Sequence, residues 1–169
     1  VNNIPMCADA EGNNGDQRFN GIAYNSKRNE FLASWTDSRE GMHNVGIVGR
    51  IVKADGTMPA KDFILVDAPG AQMISHSAYL PQQDKYFMAF EYSRNELDKF
   101  YFKDINARLD IGARWLGANG QPEGDLIDIC SSEGNQRFVR FAHNAAGDTF
   151  LLVWQDDFPG VSDSVEGHI

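Results

Sequence analysis

Six side chains are placed for binding chemistry: Arg18, His76, Arg94, Asp104, Arg137 and Arg140. The arginine forks suit carboxylates, phosphates or polar ligands, while the imidazole and carboxylate add hydrogen-bonding specificity. A second group is acidic and follows aromatic residues: Asp37 after Trp35-Thr36 and Asp156 after Trp154-Gln155. Asp37 and Asp156 read as acceptors of backbone N–H groups in turns, with catalysis or Ca²⁺ ligation as the alternative. Glu91, Arg94, Asp98 and Asp104 form a charged stretch that is either a solvated loop or part of a site. His43, His76, His143 and His168 show no His-x-x-x-His spacing, and there is no Gly-rich phosphate loop or G-x-S-x-G elbow. Asp156-Asp157 and Asp163 could help hold calcium, but the closing Glu of an EF-hand is missing. No catalytic residue, metal ligand or cofactor is assigned.

These residues sit at marked places in a repeat. Gln17-Arg18-Phe19, Ala23-Tyr24-Asn25 and Phe31-Leu32-Ala33-Ser34-Trp35-Thr36-Asp37 return as Gln136-Arg137-Phe138, Ala142-His143-Asn144 and Phe150-Leu151-Leu152-Val153-Trp154-Gln155-Asp156. A looser copy between them holds Gln72, Ala78-Tyr79-Leu80 and Tyr86-Phe87-Met88-Ala89-Phe90. Strand-length runs separated by turn residues predict four strands per copy. In the first copy these are Phe19–Tyr24, Glu30–Thr36, Val45–Lys53 and Phe63–Asp67, with an Asp55-Gly56 hairpin turn. In the second they are Ser75–Leu80, Lys85–Glu91, Arg108–Leu116 and Leu126–Cys130. Its loop after the second strand is longer and holds Phe100-Tyr101-Phe102, which reads as an extended hairpin or lid. The third copy stops inside its third strand. A matching fourth strand is expected at the front of the chain, where Ile4–Gly12 aligns with Leu126–Gly134.

Repeated four-stranded antiparallel units predict an all-β fold of three β-propeller blades. Residues 1–15 are the outer strand of a cut blade, 16–71 blade one, 72–135 blade two, and 136–169 a truncated blade three. The run Trp35-Thr36-Asp37-Ser38-Arg39-Glu40-Gly41 resembles the W-x-D-x-R-x-G repeat of secreted bacterial propeller proteins. The third copy keeps Trp154, Asp156 and Gly160 but has Phe158 for the Arg; the second keeps Arg94 but has Phe90 and Tyr92 for the Trp and Asp. Three blades do not close a ring, so the expected partner is another copy of the chain or another propeller chain. Val1–Ala10 is then an outer strand beside Ser164–Ile169 of its own or another chain. Cys7 and Cys130 fall on outer strands of different blades, too far apart for a disulfide. They read as separate, small buried groups.

On this plan the loops entering each first strand and those joining second to third strands share one face, which is the expected ligand face. Gln17, Gln72 and Gln136 open all three first strands and read as architectural bridges, with a sugar-binding ring as the alternative. Trp35 and Trp154 read as core. The net charge of −9, from 24 acidic and 15 basic residues, argues against nucleic acid and anionic lipid. No run is long and apolar enough to span a membrane, and no leader sequence is apparent. The sequence therefore points to a non-catalytic binding or assembly module, extracellular or periplasmic, for protein or carbohydrate. The alternatives are a glycan-cleaving propeller, which needs paired carboxylates at the central mouth, or a subunit of a larger complex with its activity elsewhere.

Overall fold

The computed structural model describes residues 4, 6, 7, 15, 17–39, 45–93, 108–147, 149–157 and 164–168. Their architecture is all-β and antiparallel. The first sheet is a meander of β1 (Gln17–Asn25), β2 (Glu30–Asp37), β3 (Gly46–Lys53) and β4 (Phe63–Val66). The second follows with β5 (Gln72–Leu80), β6 (Lys85–Tyr92), β7 (Asp110–Gly117) and β8 (Pro122–Cys130). The third has three described strands, β9 (Asn135–Asn144), β10 (Thr149–Asp157) and β11 (Ser164–His168).

Local chemistry sets the turns. After β1, the Asn25 side-chain oxygen accepts the N–H groups of Lys27 and Arg28, each at 3.1 Å. After β9, Asn144 does the same for Ala146 and Gly147 at 3.2 and 3.3 Å. Such turns need a short side chain with an acceptor, and Asn supplies it. After β3 and β7 the chain reverses through Gly56 and Gly120, both with positive φ (87° and 81°). A side chain at either would also collide with an apolar group, Ile4 in one case and Phe63 in the other, each 2.8 Å from the added Cβ.

The sheets stack face to face in chain order. Ala23, Leu32, Ile47 and Leu65 of the first sheet pack against Tyr79, Tyr86, Met88, Phe90 and Leu116 of the second. The opposite face of the second sheet, with Phe87, Ala89, Ile111 and Ala113, packs against Val139, Phe141, Leu152 and Trp154 of the third. This is why β6 is buried on both faces whereas β1 alternates. Burying one such Leu or Phe stabilises by about 1.5–3 kcal/mol. The first strands β1, β5 and β9 are neighbours along one edge of the stack. Among the described residues the sheets form an open row, not a closed ring.

Several expectations are corrected. The fourth strand of the first sheet ends at Val66, and that of the second starts earlier, at Pro122. The third strand of the second sheet runs from Asp110 to Gly117. Ile4, Met6 and Cys7 are not in a strand and make no ladder with β11 of the same chain. Instead the Met6 carbonyl accepts a hydrogen bond from Arg50 Nη1 on the first sheet at 2.9 Å, so a side chain meets a need that a neighbouring strand would otherwise fill. The rest of 1–14 lies outside the described residues. Cys7 and Cys130 are not joined, as expected, but both are half-buried, not core groups.

Candidate functional site

Each first strand carries a bulge at the same place: between Arg18 and Gly21, between Met73 and His76, and between Arg137 and Arg140. Inside each bulge sits a non-glycine residue in the left-handed region, Phe19 (φ 52°), Ile74 (φ 49°) and Phe138 (φ 56°). For a branched residue such as Ile74 this is a strained conformation. It recurs in all three sheets, so it belongs to the architecture. Two of its N–H groups are held by the preceding sheet: Thr36 Oγ1 accepts from Ile74 at 3.2 Å, and Glu91 Oε1 accepts from Phe138 at 2.5 Å.

The bulge fixes two positions that vary from sheet to sheet. The position before it holds Arg18, Met73 and Arg137; the position after it holds Gly21, His76 and Arg140. A side chain at Gly21 would meet the Ser75 carbonyl at 2.8 Å, so the first two sheets touch there. In the second and third sheets the same position holds His76 and Arg140. His76 Nδ1 accepts the N–H of Phe141 at 3.3 Å, and its ring meets that of Phe141 edge-on, centroids 4.9 Å apart. Burial pushes the imidazole below its usual pKa, and the charge of Arg140 adds to that. Arg140 Nη1 donates to the Val139 carbonyl at 2.8 Å while the side chain stays exposed. Arg137 is half-buried, and its Nε has no hydrogen-bond partner among the described residues. Arg18 is exposed on β1. The structure thus brings His76 and Arg140 together and sets Arg18 and Arg137 at matching positions on β1 and β9. Arg94 and Asp104, with the loop that holds them, lie outside the described residues.

The other candidates are structural. Gln72 Nε2 reaches back to the carbonyls of Ala68 (2.8 Å) and Gly70 (3.1 Å), fastening the linker between sheets. Gln17 Nε2 likewise reaches Gly15 O at 3.0 Å, and Gln136 Nε2 reaches Ser132 Oγ at 3.0 Å and Asp156 Oδ1 at 3.2 Å. Asp37 accepts from the Arg39 N–H and Arg39 Nε, both at 2.8 Å, and from Trp35 Nε1 at 3.0 Å. Burial alone would raise its pKa; the bonds from Arg39 and Trp35 outweigh that and hold it below the ordinary range. Arg39 also bridges to Asp62, and Arg50 Nη2 lies 3.8 Å from that same carboxyl. Cys7, Asp37 and Asp62 have ligand atoms within 4.8 Å of one another, but the two carboxylates already pair with the guanidinium groups of Arg39 and Arg50. Trp35 and Trp154 are both buried, as expected.

The structural role of Glu91 was not visible in the sequence, because it depends on the left-handed conformation of Phe138 in another sheet. The repeated Thr36 and Glu91 positions, side by side with the aromatic of the second strand, were the available signal.

No family model and no curated protein matches the sequence. Among solved structures, the fold is similar to a crystal structure of a protein of unknown function from Dyadobacter fermentans DSM 18053, with a TM-score of 0.53 and 13% identity. The match covers 92% of this chain and 55% of that one, so this chain spans about half the length of its structural neighbour.

Proposed function

We propose that the three sheets are blades of a β-propeller and that the chain is a non-catalytic binding module, extracellular or periplasmic, for an anionic ligand. The ligand face is formed by the loops entering β1, β5 and β9 and those joining second to third strands. One observation carries this reading. The three adjacent first strands hold Arg18, Arg137 and Arg140 and not one carboxylate, in a chain of net charge −9. A basic strip on an acidic molecule attracts anions locally. It also disfavours glycoside hydrolysis, which needs two carboxyl groups roughly 5–9.5 Å apart. The half-buried Arg137 and the exposed Arg140 suit the fork geometry of a carboxylate, as on an acidic sugar or an acidic peptide. Calorimetric titration with a uronic-acid oligosaccharide and a neutral one of equal length tests it. Binding of the acidic sugar alone, weakened about tenfold or more by Arg137→Ala with Arg140→Ala, is expected. Equal binding of both sugars, or binding indifferent to the two arginines, overturns the anionic reading.

A further inference from the structure

We propose that the anion held on the basic strip is a uronic acid in its pyranose form, with the Phe138 ring under the sugar and the His76 Nε2–H on an oxygen beside the carboxylate. This rests on the anionic-ligand reading above and narrows it to one ligand class. The starting point is a mismatch between a backbone conformation and the residue that adopts it.

Five non-glycine residues have positive φ among the described residues. Asn29 (φ 50°) and Asp84 (φ 55°) lie in turns and are of types that tolerate it. Phe19, Ile74 and Phe138 in the bulges are not. The bulge needs the conformation, and Gly or Asn would meet that need with less strain. The backbone therefore does not explain an aromatic side chain. Packing on Ala71 and Met73 explains Ile74. Phe138 is 51% exposed. Ile74, with a sheet on either side, is itself only partly buried, so this position meets solvent inside the row. Behind the Phe138 ring, its backbone N–H is fixed by Glu91. A strained residue held in this way is characteristic of a ligand site.

Two contacts place Phe138 relative to His76. The Phe138 N–H meets Glu91, whose ladder partner on β5 is Met73, and the Phe141 N–H meets His76. β5 and β9 thus run side by side, with Phe138 one bulge nearer the strand entry than His76. From Phe138 to Phe141 the strand covers at most about 10 Å, at about 3.3 Å per residue, room for one sugar ring and its substituents. The His76 tautomer follows from the same geometry. Nδ1 accepts the Phe141 N–H, so the neutral ring carries its proton on Nε2. Nε2 has no partner among the described residues and is not one of the enclosed side-chain atoms. The site therefore offers a neutral donor beside the cation Arg140, and an aromatic face along the same strand. A cation alone serves any anion. The neutral donor serves a hydroxyl or ring oxygen, and the electron-rich face of the aromatic ring serves C–H groups. A pyranose uronate carries a carboxylate, oxygens beside it and a rigid C–H face. The carboxylate of an acidic peptide sits on a flexible chain without such a face.

Calorimetric titration with a galacturonic acid trimer and a capped glutamate trimer, which carry the same number of carboxylates, tests the ligand class. The galacturonate should bind and the peptide should bind far more weakly. Phe138→Gly separates a ligand role from a structural one. Gly adopts φ 56° without strain, so the urea midpoint should hold or rise. Affinity for the galacturonate trimer should nonetheless fall about fivefold or more. Nitrogen NMR of wild-type His76 at neutral pH should show the Nε2–H tautomer, with the Nε2 resonance shifted by the galacturonate trimer. Unchanged affinity in folded Phe138→Gly, or an Nε2 resonance that ignores the bound sugar, overturns the proposal. So does equal binding of the two trimers; if both then require Arg137 and Arg140, the anionic-ligand reading stands without the sugar. Binding of neither trimer overturns both.

Discussion

The carboxylate of Glu91 reaches across from the second sheet to accept the backbone N–H of Phe138 in the third, Oε1 to N at 2.5 Å. Glu91 is fully buried, and Phe138 holds a left-handed backbone. A buried N–H without an acceptor is costly, and a charged acceptor makes the stronger bond. Glu91→Ala is therefore expected to destabilise the fold by about 1.5–3 kcal/mol. Glu91→Gln keeps an acceptor and should cost less. Urea denaturation at fixed protein concentration measures both. Equal stability of the Ala variant and the wild type would show that the bond does not hold the bulge.

The Asp37 carboxylate is the hub of the first sheet, joining Trp35 Nε1, the Arg39 backbone and the Arg39 guanidinium. Its pKa is held below the ordinary range despite burial, so its contribution is present above the unfolded value, about pH 4, and fades as pH falls below it. Asp37→Ala should destabilise by roughly 1–3 kcal/mol and flatten the acid limb below about pH 4. A variant with the wild-type acid limb would mean that other carboxylates control it.

Much of this fold is legible in the sequence because each sheet repeats the same aromatic and turn positions. Trp35, Phe90 and Trp154 mark the second strand, and Asn25 and Asn144 mark the turn before it. The roles of Gln72 and Asp37 also followed from their recurrence. What could not be read is what depends on contacts between copies. The left-handed Phe19, Ile74 and Phe138 look like ordinary strand residues. The place of Met6 on the first sheet is set by Arg50, far away in sequence. The candidate site was half legible. Arg18, Arg137, Arg140 and His76 could be singled out by residue type and place in the repeat, but the pairing of His76 with the third sheet depends on how the sheets stack.

Arg28 and Asp84 join the turns of the first and second sheets through two bonds, at 2.8 and 3.2 Å, and Tyr79 donates to the same carboxylate. Asp84 is accordingly lowered to about 2, first by Arg28 and then by Tyr79. Arg28→Ala is expected to move the Asp84 titration up toward the ordinary value of about 3.9. NMR titration of the side-chain carboxyl carbon reads this directly. A carboxyl that titrates at the same pH in both proteins would mean that the pair is not formed in solution.

His76 gives the chain a pH dependence near neutrality. Nδ1 accepts the Phe141 N–H and must be unprotonated to do so, while burial and the nearby Arg140 charge both disfavour the imidazolium. The folded pKa is thus below the unfolded value of about 6.5. Below that pH the unfolded chain binds the additional proton, so the contribution of His76 is present above about pH 6.5 and is lost on acidification. The urea midpoint should therefore drop between pH 7.5 and pH 5.5. His76→Gln offers a carbonyl acceptor that does not titrate, and should shrink that drop. Arg140→Ala removes one of the two causes, so the His76 titration followed by NMR should rise toward the ordinary value without reaching it, because burial remains. If wild type and His76→Gln lose the same stability on acidification, the pH response arises at another group.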